Sequence, residues 1–237
     1  MDSAIQRDFD RIAALPGEAW DHNSHYHPFL LKHIPASADS EALEIGCGTG
    51  AFSRLLAQRF RRVLALDLSP RMIETAREQS RQYPNIDFQV ADAKTFELTP
   101  EHFGCVVSIA TLHHLPLEQI LVKMKAALKA GGTLAVLDLF QNEGAADTLT
   151  AAWALPVSAG LRVIKNGRLR EPAEARAAWA EHGRSDVYLS MAQVRRVCES
   201  LLPGAQVRKH LLWRYSIVWN TAEKMRAGES PPAVPAI

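Results

Sequence analysis

Ala42-Leu43-Glu44-Ile45-Gly46-Cys47-Gly48-Thr49-Gly50 sets the frame for the rest of the chain. An apolar run ends in an acid and then turns through alternate glycines. Phe52, Leu55, Leu56 and Phe60 follow at helical spacing. The pattern is strand, tight turn, helix. Glycine lacks a Cβ, so such a turn lets a ligand approach bare backbone. The start of the helix adds unsatisfied N–H groups aimed the same way. The chemistry around the turn has to say which ligand that is.

The chain has 237 residues, enough for one α/β domain with an insertion. Its formal net charge is +1, so no global field draws it to nucleic acid or to an acidic membrane. Its three cysteines, Cys47, Cys105 and Cys198, are widely spaced and form no C-x-x-C pair. That argues against a disulfide scaffold and for a reducing compartment. Met1 to Asp8 lacks the basic start and apolar core of a signal peptide. No apolar run approaches the ~18 residues of a membrane span. A cytoplasmic protein is expected.

Strand and helix signals alternate around the glycine turn. Residues 1–37 read as a helical, aromatic-rich lid segment, with Pro28 opening a short helix that ends before Pro35. After the first strand, at Leu43 to Ile45, a second runs from Arg62 to Leu66 and ends at Asp67. Ser69-Pro70 then supplies an N-cap and a first-turn proline. Ile86 to Val90 is a third strand, ending at Asp92. Cys105 to Ile109 is a fourth, apolar throughout as in a strand buried on both faces. Gly131-Gly132 is expected to end the next helix and Thr133 to Leu139 to form the fifth strand. This alternation implies right-handed crossovers and a parallel sheet, so residues 38–140 read as a Rossmann-like core with helices on both faces. Residues 141–188 carry helical but no strand signals and read as a helical cap inserted after strand five. Residues 189–222 return to the core: Ser190 and Gln193 have capping-box spacing, and Gln206 to Leu212 and Arg214 to Trp219 read as an antiparallel hairpin. Residues 223–237, rich in proline, read as a flexible tail, disordered from Ala227.

Gly46-x-Gly48-x-x-Ala51 also satisfies the dinucleotide pattern, so the glycines alone leave a nicotinamide enzyme open. Three acids at strand ends separate the cases. Glu44 would repel a pyrophosphate seated on the turn and would favour a cation. Asp67 can take two ribose hydroxyls, and Asp92 can accept from an exocyclic amine. A cation, a ribose and an adenine without phosphate describe S-adenosylmethionine. On these residues the chain resembles the class I S-adenosylmethionine-dependent methyltransferases of small-molecule type. Glu44 to Gly50 is similar to their first motif, Asp67 to their ribose-binding acid, and Leu68 and Met72 to apolar positions beside the adenine. Asp92-Ala93 resembles their third motif, Ser108-Ile109-Ala110 with Leu112 to Leu115 the segment after strand four, and Leu128 to Leu134 the turn into strand five. The resemblance implies S-adenosyl-L-methionine as cofactor, held by Glu44, Gly46, Cys47, Gly48, Gly50, Asp67, Leu68, Met72, Asp92, Ala93 and Ile109. It also implies a seven-stranded, mostly parallel sheet with strand seven antiparallel between five and six.

In-line methyl transfer depends chiefly on positioning, with a base only where the nucleophile loses a proton. His113 and His114 follow a strand's carboxyl end and are the candidates for base or for holding the acceptor. Trp20, His25, Tyr26 and His27, with His114 and Arg214, are candidates to line the acceptor pocket. Packing of aromatic rings is the competing role for the 20–27 cluster. No metal is expected. Some quinone O-methyltransferases carry metal-binding acids after strand four, but Ala110 and His113 stand in those places here. The expected activity is methylation of a small molecule, at oxygen before nitrogen, sulfur or carbon. RNA or protein methylation and a non-catalytic cofactor-binding regulator are the alternatives. Nucleic-acid and membrane partners are not expected, and oligomeric state is not legible.

Overall fold

The computed structural model describes residues 2–221 other than 16, 18 and 185; the tail read as disordered lies outside this range. Seven strands form one sheet: β1 (Ser37–Ile45), β2 (Phe60–Asp67), β3 (Ile86–Val90), β4 (Phe103–Ile109), β5 (Leu128–Leu139), β6 (Gln206–Lys209) and β7 (Arg214–Asn220). Their order is β3-β2-β1-β4-β5-β7-β6. The first five strands are mutually parallel, and β7 runs antiparallel between β5 and β6.

Eight α-helices connect and cover the sheet among the described residues: α1 (Asp2–Ala13), α2 (His27–His33), α3 (Ala51–Ala57), α4 (Pro70–Gln79), α5 (Leu117–Ala127), α6 (Gly144–Asn166), α7 (Ala173–His182) and α8 (Met191–Leu201). Strand side chains alternate between faces, so each face builds its own core. Leu43, Ile45, Val106 and Val136 pack with Ile120, Leu121 and Met124 of α5 and Val194 of α8. Ala42, Val63, Val107 and Leu137 pack with Leu30 of α2, Phe52 and Leu56 of α3, and Ile73 of α4. Ala154 of α6 joins the second core.

The caps read from sequence form as local chemistry dictates. The Ser69 hydroxyl accepts from the Met72 amide with Pro70 at the first turn, and Ser190 and Gln193 make a reciprocal capping box. Two boundaries differ from expectation. β1 starts at Ser37, with a register shift before Glu41. β5 runs through Gly131-Gly132 instead of starting after them. Phe103 already pairs with Leu128 and the register shifts before Cys105, so the glycines form a bulge inside the strand rather than a helix stop. A Cβ on Gly132 would lie 2.9 Å from the Lys129 carbonyl oxygen, which a bulge closed this tightly does not admit.

Register brings the carboxyl ends of the parallel strands to one edge. Ile45 pairs with Leu66 and with Ser108, and Ile109 pairs with Leu137. Because β7 is reversed, its first residues reach the same edge: Arg214 pairs with Leu139 and Tyr215 with Asp138. Open α/β sheets bind ligands at this edge.

Candidate functional site

At the end of β1 the chain enters the turn with Gly46, Gly48 and Gly50 all at positive φ (74°, 52° and 76°). A Cβ on Gly46 would overlap the Thr111 side chain, and one on Gly50 would lie 2.8 Å from the Phe88 ring. A Cβ on Gly48 would meet nothing within 4 Å, so there the backbone faces open space. Four of the loop's amides are engaged. Gly46 and Cys47 donate to the Leu66 carbonyl, Gly50 to that of Cys47, and Gly48 to the Asp67 carboxylate at 2.8 Å. A turn with these donors already engaged makes a poor cradle for pyrophosphate. It fits a ligand that lacks phosphate.

Glu44 is 2% exposed on the α3 side of β1. The Ser53 hydroxyl donates to it at 2.5 Å. Burial raises its carboxyl pKa to about 8, and the nearby Asp67 adds to the rise. A buried acid held neutral in this way is a latent anion that a nearby cation can ionise. Cys47 is buried, and burial raises its thiol pKa further, so it fills space and has no nucleophile's character.

Asp67 ends β2 and accepts from the amides of Gly48 (2.8 Å) and Ser69 (2.9 Å), one on each carboxylate oxygen. Each oxygen keeps a second lone pair, so capping the loop and binding two hydroxyls are compatible. Burial raises its pKa. Asp92 turns the chain after β3, accepting from the Lys94 amide at 2.9 Å. Lys123 of α5, which sequence reasoning missed, ties the same loop down by donating to the carbonyls of Ala93, Lys94 and Phe96. Met72 packs against Ile12 of α1 and Ala178 of α7. Leu68 and Ile109 are partly buried near the ends of β2 and β4. Helix α1 is fastened to this region through Asp10, whose carboxylate accepts from the Ser69 hydroxyl at 2.5 Å.

After β4 the backbone turns at Ala110, φ 49°, and Thr111 lies over Gly46. His113 and His114 follow in a 3-10 turn. Asp138, fully buried at the end of β5, accepts the His113 amide at 2.9 Å and meets its ring Nδ1 at 2.6 Å. His113 Nε2 is 3.9 Å from Asp186, and His114 Nδ1 is 3.4 Å from it. The Tyr188 hydroxyl donates to Asp186 at 2.7 Å. On its far side the His114 ring Nε2 meets His182 of α7 at 3.3 Å, and His182 reaches Asp8 of α1 at the same distance. Phe9 stacks against both His114 and His182. Burial, reinforced by the neighbouring His113, lowers the His114 pKa to about 4. A recess of about 320 Å³ opens beside the pair, lined by His113, His114, Leu139, Val187 and Tyr215. A larger recess lies at the opposite end of the strands among Glu41, Arg61, Arg62 and Asp87. There the charges pair with one another, so it is a solvated rim.

The 20–27 cluster gathers elsewhere than the His113–His114 network. Trp20 exchanges two backbone hydrogen bonds with the Asn166 side chain of α6. His22 shares one with Ser158 at 2.7 Å, and its pKa falls to about 4 through burial and then the Arg214 charge. The Tyr26 hydroxyl accepts from the Leu212 amide, His25 sits edge-on to Trp20 and Tyr26, and His27 packs on Phe52. Arg214, buried, donates to Asn23 at 2.7 Å and to the carbonyls of Leu212 and Trp213. These residues clamp the N-terminal segment to α6 and to the β6–β7 turn. Arg214 also sits in the fields of Asp138 and Tyr188, which links the clamp to the histidine network.

Residues 42–132 match the model of a methyltransferase domain family. An uncharacterized methyltransferase of Mycobacterium tuberculosis is 28% identical over 206 residues, spanning 86% of this chain and 98% of its own. The malonyl-[acyl-carrier protein] O-methyltransferase of Paenibacillus sp. is 31% identical over 209 residues, 78% of this chain and 72% of its own. Among solved structures, the N-methyltransferase NodS of Bradyrhizobium japonicum, in complex with S-adenosyl-L-homocysteine, superposes with a TM-score of 0.61 at 19% identity. That match covers 92% of this chain and 99% of that one. With the phosphate-averse glycine loop, the acids at its strand ends and the β3-β2-β1-β4-β5-β7-β6 sheet, these likenesses make the chain a member of the class I S-adenosylmethionine-dependent methyltransferases, an enzyme whose methyl donor is S-adenosylmethionine.

Proposed function

We propose that the enzyme methylates an oxygen of a small-molecule acceptor, held at the recess beside His113 and His114. The observation that carries this reading is the buried His113–Asp138 pair, set at the sheet's ligand-binding edge two residues after Thr111, which covers Gly46. S-adenosylmethionine supplies an electrophilic sulfonium methyl. The chain's residues do the rest. Gly46 to Gly50, with Cys47 as filler, give the donor a close backbone surface, and Glu44 beneath them answers its positive charge. Asp67 takes the ribose hydroxyls, and Asp92, Ala93, Leu68 and Ile109 frame the base. Met72 supports that wall from behind, in contact with α1. Asp138 fixes the His113 ring. His114, backed by His182 and Phe9, forms one wall of the acceptor recess, and the cluster orients the acceptor hydroxyl for loss of its proton. The Trp20–Tyr26 clamp acts on the recess from outside its lining, through Arg214, whose charge lies in the fields of Asp138 and Tyr188. The relative from Paenibacillus is named an O-methyltransferase, which supports oxygen as the accepting atom.

The three cysteines are free and buried, which supports a reducing, cytoplasmic setting. Among the described residues no helix is long and apolar enough to cross a membrane. Calorimetry with S-adenosylmethionine against NAD, followed by mass spectrometry of a phenol, carboxylate and hydroxy-acid panel, tests the reading. A gain of 14 Da on an oxygen acceptor supports it. Donor binding without transfer to any acceptor class would favour a regulatory protein, and absence of donor binding would overturn the assignment of the site.

A further inference from the structure

The histidine network contains more than acceptor positioning requires. Nitrogens of His113 and His114 and an oxygen of Asp186 all lie within 4.8 Å of one another, and the three side chains are 6%, 8% and 5% exposed. We propose that His113, His114 and Asp186 bind a divalent first-row transition ion of the zinc class, which receives the acceptor oxygen. The ion's catalytic role rests on the placement of the acceptor proposed above; its binding does not.

Three features carry the inference. The first is spacing. Two ligand atoms ~2.0–2.1 Å from one tetrahedral ion stand ~3.3 Å apart. His114 Nδ1 and Asp186 Oδ1 are 3.4 Å apart and His113 Nε2 and Asp186 Oδ2 3.9 Å, with all three ligand atoms inside 4.8 Å, so side-chain movement of the order of an ångström separates the set from an ion's ligand sphere. Both distances exceed the ~2.7–2.9 Å of a direct charge-assisted hydrogen bond. The second is support from behind. Histidine ligands of metals characteristically have the other ring nitrogen held by a partner that fixes tautomer and orientation. Here Asp138 holds His113 Nδ1 at 2.6 Å and His182 meets His114 Nε2 at 3.3 Å. Tyr188 likewise donates to Asp186 at 2.7 Å. Both histidines are therefore held at the ring nitrogen away from the ion, and Tyr188 fixes the Asp186 oxygen that faces His113. The third is the donor set with its neighbouring space. Two imidazoles and one carboxylate suit zinc, cobalt, nickel or iron better than magnesium or calcium. Three protein ligands leave a position open, and two of them, His113 and His114, line the 320 Å³ recess.

An acceptor hydroxyl bound at that position would lose its proton more readily. Its oxygen lone pair forms the new C–O bond as the C–S bond breaks, the bonding pair goes to sulfur, and the hydroxyl proton leaves to solvent. Sequence reasoning expected no metal because the post-β4 segment lacks acids. The acid comes instead from Asp186, between α7 and α8.

The test is Co2+ titration of chelator-stripped, full-length protein, followed by visible absorption and by elemental analysis after desalting. One Co2+ per chain, with d–d bands of a four- or five-coordinate site and displacement by Zn2+, is expected. Asp138→Asn should weaken binding by about 10- to 100-fold, and Asp186→Ala by more. Tyr188→Phe, which keeps the ring, gives a second variant if Asp186→Ala fails to fold. Less than 0.1 Co2+ per chain, or equal affinity in wild type, Asp186→Ala and His113→Ala, would overturn the site. S-adenosylmethionine binding to the same metal-free protein separates the outcomes: donor binding without Co2+ binding rejects the metal and leaves the methyltransferase reading intact. Loss of donor binding strikes that reading instead.

Discussion

Replacing Glu44 by Gln should make the donor-free enzyme less sensitive to alkali. Gln keeps the shape and still accepts from Ser53, but it cannot ionise. In the folded protein Glu44 titrates near 8 instead of 4.5, because burial opposes its charge. The unfolded chain releases this proton first, so between those pH values the folded state binds more protons and wild-type stability falls as pH rises. The full difference of about 3.5 pH units corresponds to roughly 5 kcal/mol as an upper bound. Between pH 6 and pH 8 the expected loss is about 2 kcal/mol, or roughly 4–8 °C in Tm for a chain of this size. Thermal unfolding of both proteins at pH 6, 7 and 8 isolates the term, since other groups titrate alike in each. The difference in Tm, variant minus wild type, should widen with pH by that amount. A difference that stays constant from pH 6 to 8 would refute the placement of a neutral, buried acid beneath the loop. Calorimetry of donor binding in buffers of differing ionisation enthalpy gives an independent check. If the donor's positive charge ionises Glu44, wild type releases up to about one proton on binding at pH 7 and the Gln variant releases none.

Asp67→Ala should weaken donor affinity by at least about 100-fold through loss of two charge-assisted hydrogen bonds, and should lower stability because the Gly48 and Ser69 amides lose their acceptor; unchanged affinity by calorimetry would remove Asp67 from the site. Ser190→Ala should cost about 1 kcal/mol by breaking the α8 capping box, read as a shift in urea midpoint with donor affinity intact. His22, with its pKa lowered to about 4 from 6.5, destabilises the fold as pH falls below 6.5, because the unfolded chain takes up the proton first. His22→Gln should therefore save about 2 kcal/mol of the stability that wild type loses between pH 7 and pH 5, and an identical loss in both proteins by urea unfolding would contradict the burial of that ring.

Features encoded locally were legible from the residues alone. The Ser69-Pro70 start of α4 and the Ser190–Gln193 box depend on neighbours within a few residues, and the glycine turn shows in its composition although Leu66 and Asp67 hold it; each forms as expected. The Gly131-Gly132 pair was misread because glycine interrupts helices and strands alike, and only the partner strand β4 shows the interruption to be a bulge. The histidine network was half legible. His113 and His114 stood out, but their partners Asp138, His182, Asp186 and Tyr188 come from β5 and the region after α6. Asp138 carried a usable signal: like Asp67 it is an acid ending an apolar strand, and β4 and β5 are adjacent at Ile109 and Leu137. Asp186 carried none, since its position depends on the path of the chain between α7 and α8. For the aromatic segment at 20–27 the residues left acceptor contact and ring packing side by side, and its partners Ser158, Asn166 and Leu212, far away in sequence, carried no signal.

The reversal of β7 has a consequence for synthesis. Arg214 and Tyr215, translated long after the glycine turn and the histidines, stand against Leu139 and Asp138 at the working edge of the sheet. A nascent chain that has already made its glycine turn and its histidines still lacks one wall of the recess and the strand that covers β5. A product cut short before Arg214 is therefore missing part of the place where the acceptor would sit, because Tyr215 lines that recess.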